Sequence, residues 1–186
     1  TDKYKLAAIQ ILVQIIPPTF STNFSLFVQV ILALLNLCLK YGNYPGAYTI
    51  YSYYGLFICG IIKDINYGYK FGQLSLKLLN KCDIYQSDSL TIHIYYGFIW
   101  HWKIFLKEKV ARDTLLSTFQ KGINLGDREY SGYVSIDYCL IEFFGGDNLK
   151  QVKNDQIKYT ALTKKHKQKY LNDYLEIFKK TVEILT

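Results

Sequence analysis

Apolar residues recur along this chain at helical spacing, and short polar or glycine-containing turns separate the runs. The clearest stripe is Tyr67, Phe71, Leu74 and Leu78, with Asn66, Lys70, Gln73, Lys77 and Lys81 on the opposite, solvated face. Gly68, Gly72 and Ser75 flank that stripe and leave one edge almost without side chain. Glycine inside a helix costs about 0.5–1 kcal/mol relative to alanine, so a pair of them one turn apart predicts close approach of another helix. A cap at Asp64 or Asn66 opens this helix, and it ends near Lys81.

Upstream, the pattern predicts a helix from Lys3 to Ile16, stopped by Pro17-Pro18 because proline lacks a donor and clashes with the preceding turn. Ser21, Thr22 or Asn23 caps a second helix that reaches Tyr41 and ends at Gly42. A third follows Pro45 and continues to Ile62. Downstream, Ser87 to Ser89 open a helix through Trp100-His101-Trp102 to Leu106. The next runs from Lys107 to Leu125, with Ala111, Leu115, Phe119 and Ile123 inward and Gly122 small. Gly126-Asp127 and Gly145-Gly146-Asp147 are turn-and-cap signals opening helices to Phe144 and Leu162. A final helix places Leu171, Tyr174, Leu175, Phe178, Val182 and Leu185 on one face and pairs Glu176 with Lys180. The class is all-α. Helix pairs with a period of about 40 residues predict tetratricopeptide-like antiparallel repeats, stacked as a right-handed solenoid in a single region over residues 1–186.

Composition sharpens this only a little. Half of the 186 residues are apolar and 17% are aromatic, which excludes a disordered chain. The net charge of +7 comes with 18 tyrosines and no methionine, a combination that fits an AT-rich coding sequence. Because the chain opens on Thr1 and lacks methionine, it is expected to be a piece of a larger protein. No small-residue cleavage site follows the first apolar run, so the expected location is cytoplasmic. Cys38, Cys59, Cys82 and Cys139 are widely separated and never form C-x-x-C, which reads as reduced, structural thiols.

Candidate chemistry is thin. His101-Trp102-Lys103 could bind a ligand, yet the nearest acid in sequence is Glu108; the structural reading is a helix end with packed aromatics and a snorkelling lysine. His93 and His101 lie two turns apart with no ligand between them, so no metal site is predicted. His166 sits in the run Lys164 to Lys169, read as a solvated helix junction and not as a nucleic-acid site. Gly145-Gly146-Asp147 follows no strand and has no lysine at phosphate-loop spacing. No charge occurs between Lys40 and Lys63, a stretch long enough to cross a bilayer. Asn43, Pro45, Thr49 and Ser52 interrupt it, so a helix buried in a soluble array is expected, with a membrane-embedded bundle as the alternative. No catalytic residue, cofactor, metal or small-molecule substrate is expected.

Four stretches carry a family likeness: LKYGNYPGAYTIYSYYG, GYKFGQLSLKLL, HWKIFLKE and KGINLGDREYSGYVSIDYCLIEFFGG. They resemble the helical-repeat region that follows the AAA-type ATPase module in multidomain signalling kinases, abundant in filamentous cyanobacteria. In that family a serine/threonine kinase precedes the ATPase, and a GAF domain and histidine kinase often follow the helices. The resemblance implies that this chain is the helical segment alone, a non-catalytic interaction and relay module. Its partners would be the neighbouring ATPase and kinase domains, and the parent protein would act in phosphorelay signalling. The alternative is a decayed fragment of such a gene. The Walker, H-R-D, D-F-G and phosphoacceptor motifs of the family are missing from the sequence. Phe105 stands where the family usually has proline, and Ile or Leu replaces methionine in the early helices. The candidate interface residues are Gly42, Asn43, Tyr53, Tyr54 and Gly55 in the first motif, and Gly68, Tyr69, Phe71 and Gly72 in the second. His101, Trp102 and Lys103 supply the third, and Gly126 and Asp127 the fourth.

Overall fold

A computed structural model of the protein describes residues 3–81, 88–104, 109–165 and 168–186. All regular elements among these residues are helical, with no strand. The backbone divides into two compact units at residues 83 and 84.

In the first unit α1 (Lys3–Thr22) packs on α2 (Phe24–Tyr41), α2 on α3 (Ala47–Phe57), and α3 on α4 (Ile65–Leu79). A π-helical turn, Ile58–Ile62, prolongs α3 and ends at Lys63 with φ +66°. Nearly every face of α3 is buried, which explains why its sequence is apolar all round and free of charge. Two of the predicted caps form. Asn23 accepts from the Leu26 amide at 3.0 Å and Asp64 from the Tyr67 amide at 2.9 Å.

Two expectations fail here. Helix α1 does not stop at Pro17-Pro18 but carries both prolines inside it. Ile16 and Thr19 are buried on either side of the pair, and the Thr19 hydroxyl donates to the carbonyls of Ile15 and Ile16. Burial thus holds a helix that local propensity would break. The inward face of α4 is also turned from the predicted one. Gly68, Gly72, Ser75 and Leu79 are buried, whereas Tyr67 and Leu74 are exposed and Phe71 is half-buried. The close approach of a neighbour selects the small residues, and the aromatic stripe flanks the contact.

The second unit holds α5 (Ser89–Ile94), a π-helical turn over Tyr95–Ile99, α6 (Trp100–Lys103) and α7 (Lys109–Leu125). Then come α8 (Arg128–Phe144), α9 (Leu149–Lys165) and α10 (Lys169–Leu185). Helix α8 is the centre, packing against α5, α7, α9 and α10. Asp127 caps it, accepting from the Tyr130 amide at 3.2 Å after Gly126 turns with φ +81°. Gly146 turns the chain before α9 with φ +80°, and Asp147 pairs with Arg112 of α7.

The inward face of α7 is Ala111, Leu115, Thr118 and Gly122; Phe119 and Ile123, predicted inward, are half-buried. The helix expected to run to Leu106 ends at Lys103, where Ile104 turns to extended backbone. In α10 Leu185 is exposed, and Glu176 pairs with Lys164 at 2.7 Å and Lys179 at 3.3 Å, not with Lys180. The readings on Cys82, Ser87, Phe105, Leu106, Lys107, Glu108 and His166 fall outside the described residues.

Candidate functional site

Of the candidate interface residues of the first unit, Gly55, Gly68, Tyr53, Tyr54 and Phe71 lie where its helices meet. A Cβ on Gly68 would overlap the Cys59 sulfur and lie 2.7 Å from the Gly55 carbonyl oxygen, so α4 meets α3 backbone to backbone. Gly72 and Ser75 are buried on the same face, and Ser75 donates its hydroxyl to the Gly72 carbonyl at 2.7 Å. Beside the seam, Phe71 receives the ring of Tyr54 edge-on at 4.7 Å and stacks with Tyr51 at 6.3 Å. Such pairs add about 0.5–1.5 kcal/mol each beyond burial. Tyr53 points the other way and is buried against Phe27 of α2 at 5.6 Å. Tyr69 is half-buried. Gly42 ends α2 with φ +87° in open space, and Asn43 accepts from the Tyr51 hydroxyl at 2.9 Å.

The second unit contains a polar contact that no motif announces. His93 Nδ1 lies 2.7 Å from Asp137 Oδ2, the distance of a charge-assisted hydrogen bond from a ring N–H to a carboxylate. The imidazole also stacks on Tyr133 at 4.9 Å and meets Phe98 edge-on at 5.3 Å. Asp137 is 4% exposed, and its carboxylate oxygens lie 2.7–3.0 Å from where a Cβ on Gly97 would be. Glycine in the π-turn therefore makes room for the acid, and the pair ties α5 to α8. No acid stands near His101 in sequence, but Asp137 also acts on that ring. Burial lowers the His101 pKa and the Asp137 charge opposes the drop. Trp102 is 45% exposed, and Lys103 is exposed.

Deeper in the same unit, Glu142 is 1% exposed. Burial raises its carboxyl from the ordinary 4.5 to about 7; Asp155 and Asp147 reinforce this, while a Tyr138 hydrogen bond and Arg112 oppose it. Glu142 Oε2, both amide atoms of Gln156 and the Thr160 hydroxyl are buried without a hydrogen-bond partner. Buried Cys38, Cys59 and Cys139 are free thiols, with pKa values raised chiefly by burial, Cys59 to about 11. They pack as small hydrophobes and are poorly disposed to act as thiolates.

Among the described residues no group of three or more His, Cys, Asp or Glu could hold a metal ion. One helix among them, α2, is long and apolar enough to cross a membrane, with mean hydropathy 1.8 and 33% of it buried. The charge-free stretch after Lys40 is instead broken between α2 and α3. No family model, curated protein or solved structure matches the chain.

Proposed function

We propose that this chain is a non-catalytic interaction and relay module of a multidomain signalling ATPase–kinase, its helix pairs stacked as a tetratricopeptide-like right-handed solenoid in the cytoplasm. The observation that carries the reading is the Gly68–Gly55–Cys59 seam, with its counterpart where Gly122 faces Ser131 and Ser89. Close-packed seams deform little, so a displacement imposed on one helix passes to its neighbour as a rigid rotation. Three of the four family-like motifs contain seam residues: Gly55 in the first, Gly68 in the second, and Gly122 and Ser131 in the fourth.

Binding to the adjoining ATPase would then use exposed side chains near the π-turns, such as Ile61, Ile62 and Trp102. Tyr53 is unsuited to such a contact because its ring is part of the core. Co-precipitation of this chain with the ATPase module from the same reading frame tests the proposal. Ile62→Asp or Trp102→Ala is expected to weaken capture while helical content stays unchanged. Stop codons flanking the segment, or undiminished capture by both variants, would refute it. The competing reading, a membrane-embedded bundle, is favoured by α2. Recovery of the chain in a detergent-free high-speed supernatant would remove it.

A further inference from the structure

Helix α10 buries Leu171, Leu175 and Val182, packing on α9 and α8, and leaves its opposite side to solvent. Three large apolar residues stand on that outer side: Tyr170, 68% exposed, Ile177, 63%, and Ile184, 85%. They recur every seven residues, two helical turns, which aligns them in one narrow seam. Apolar residues scattered singly over a surface are ordinary, but a regular row on one helix marks a place of contact.

The polar residues beside the seam show what fits it. Asp173 and Lys180, both exposed, lie along one edge, and neither has an ion-pair partner among the described residues. Exposed Thr181 and half-buried Tyr174 form the other edge. The pattern is nearly symmetric about Ile177. At 1.5 Å per residue, Tyr170 and Ile184 lie about 10.5 Å to either side of it, Asp173 about 6 Å before it and Lys180 about 4.5 Å after it. A two-fold axis through Ile177, normal to the plane of two antiparallel helices, therefore sets Ile177 on its own copy and Tyr170 on the second copy's Ile184. The same rotation brings Asp173 opposite Lys180 of the second copy, twice, along one edge. Tyr174 meets Thr181 along the other. Parallel pairing would instead oppose Asp173 to Asp173 and Lys180 to Lys180, and like charges reject that arrangement. Glu176, next to the axis, is already neutralised within its own chain by Lys164 and Lys179.

A face that complements itself under a two-fold rotation is what an isologous contact requires. We propose that the outer side of α10 is a self-association surface, on which a second copy of this chain docks antiparallel about Ile177. With one helix from each chain the contact is small, so the association is weak and concentration-dependent. The assignment is independent of the relay reading, which capture of the ATPase module decides separately.

Sedimentation velocity of the 186-residue chain over about 5 to 500 μM tests it. A shift from the 21.7 kDa monomer towards twice that mass is expected as concentration rises. Ile177→Asp should raise the dissociation constant by about tenfold or more, because it places two carboxylates on the axis. Asp173→Lys and Lys180→Asp should each weaken association by about three- to tenfold, and the double exchange, which restores opposite charges, should recover most of the loss. Helical content should stay unchanged in all of these, since the three positions face solvent. A monomer at every concentration would overturn the proposal, and so would a dimer indifferent to Ile177→Asp. Failure of the double exchange to recover association would overturn the antiparallel pairing.

Discussion

The hydrogen atom that serves as a side chain at Gly68 and Gly122 controls how near two helices can come. At Gly68 a methyl would press on the Cys59 sulfur and on fixed backbone, the Gly55 carbonyl, so the helices must part. Gly68→Ala is expected to lower unfolding free energy by about 1–3 kcal/mol in urea titrations. At Gly122 the obstacles are the Ser131 and Ser89 hydroxyls, which are side-chain atoms and can be deleted. Gly122→Ala should cost a similar amount, and adding Ser131→Ala should recover part of it. A double-mutant cycle with no coupling would contradict the seam geometry. Glu142 makes a different residue-level statement, through pH. An acid whose folded-state value of about 7 stands above its ordinary 4.5 binds its proton more tightly when folded. Its stability contribution is therefore greatest below the ordinary value and is lost as pH rises through about 7. Glu142→Gln, which cannot ionise, should gain stability relative to the unaltered chain between about pH 5 and pH 8. A pH-independent difference between the two would show that the carboxyl titrates normally.

At the scale of single helices, the sequence is legible where capping or turn chemistry speaks and obscure where packing decides. Asn23, Asp64 and Asp127 could be picked out as caps because their side chains mimic the missing acceptors locally. The phase of α4 could not, because its buried ridge of Gly68, Gly72 and Ser75 carries almost no hydropathy while the flanking Tyr67–Leu78 stripe carries a strong one. Hydropathy marks side chains that avoid water; it is blind to positions chosen for having none. Helix α1 is the opposite case, since Pro17 and Pro18 send a strong local signal that burial of Ile16 and Thr19 overrides. An interior proline costs about 3 kcal/mol, less about 0.4–1 kcal/mol recovered from the stiffer unfolded chain. Pro18→Ala is accordingly expected to raise stability by about 2 kcal/mol, visible as a later urea midpoint. A fall instead would mean that the proline ring itself is an indispensable packing surface. In α9 the same approach applies to Gln156, which is fully buried with both amide atoms unpaired. Gln156→Met keeps the volume and should stabilise by about 1–3 kcal/mol.

Across the whole chain, helical periodicity sufficed for the all-α class, yet long-range contacts and the division into units lay beyond it. His93 and Asp137 are 44 residues apart in sequence, and only the packing of α5 on α8 brings them within bonding distance. The break at residues 83 and 84 has no glycine- or proline-rich linker to announce it. Each unit nevertheless has a centre of its own: α3 with Ile50, Phe27 and Leu34 around it, and α8 with Leu115, Ile141 and Leu175. Every partner of the Gly68 seam belongs to the first unit, and every partner of the Gly122 seam to the second. Stability should therefore be separable. Residues 1–83 expressed alone are expected to be helical and to melt cooperatively, and Gly68→Ala should lower that midpoint by about 4–8 °C per kcal/mol lost. Residues 84–186 should respond in the same way to Gly122→Ala. If the isolated first unit melts without cooperativity, or if its midpoint ignores Gly68→Ala, its core does not suffice and the division is one of contact density alone.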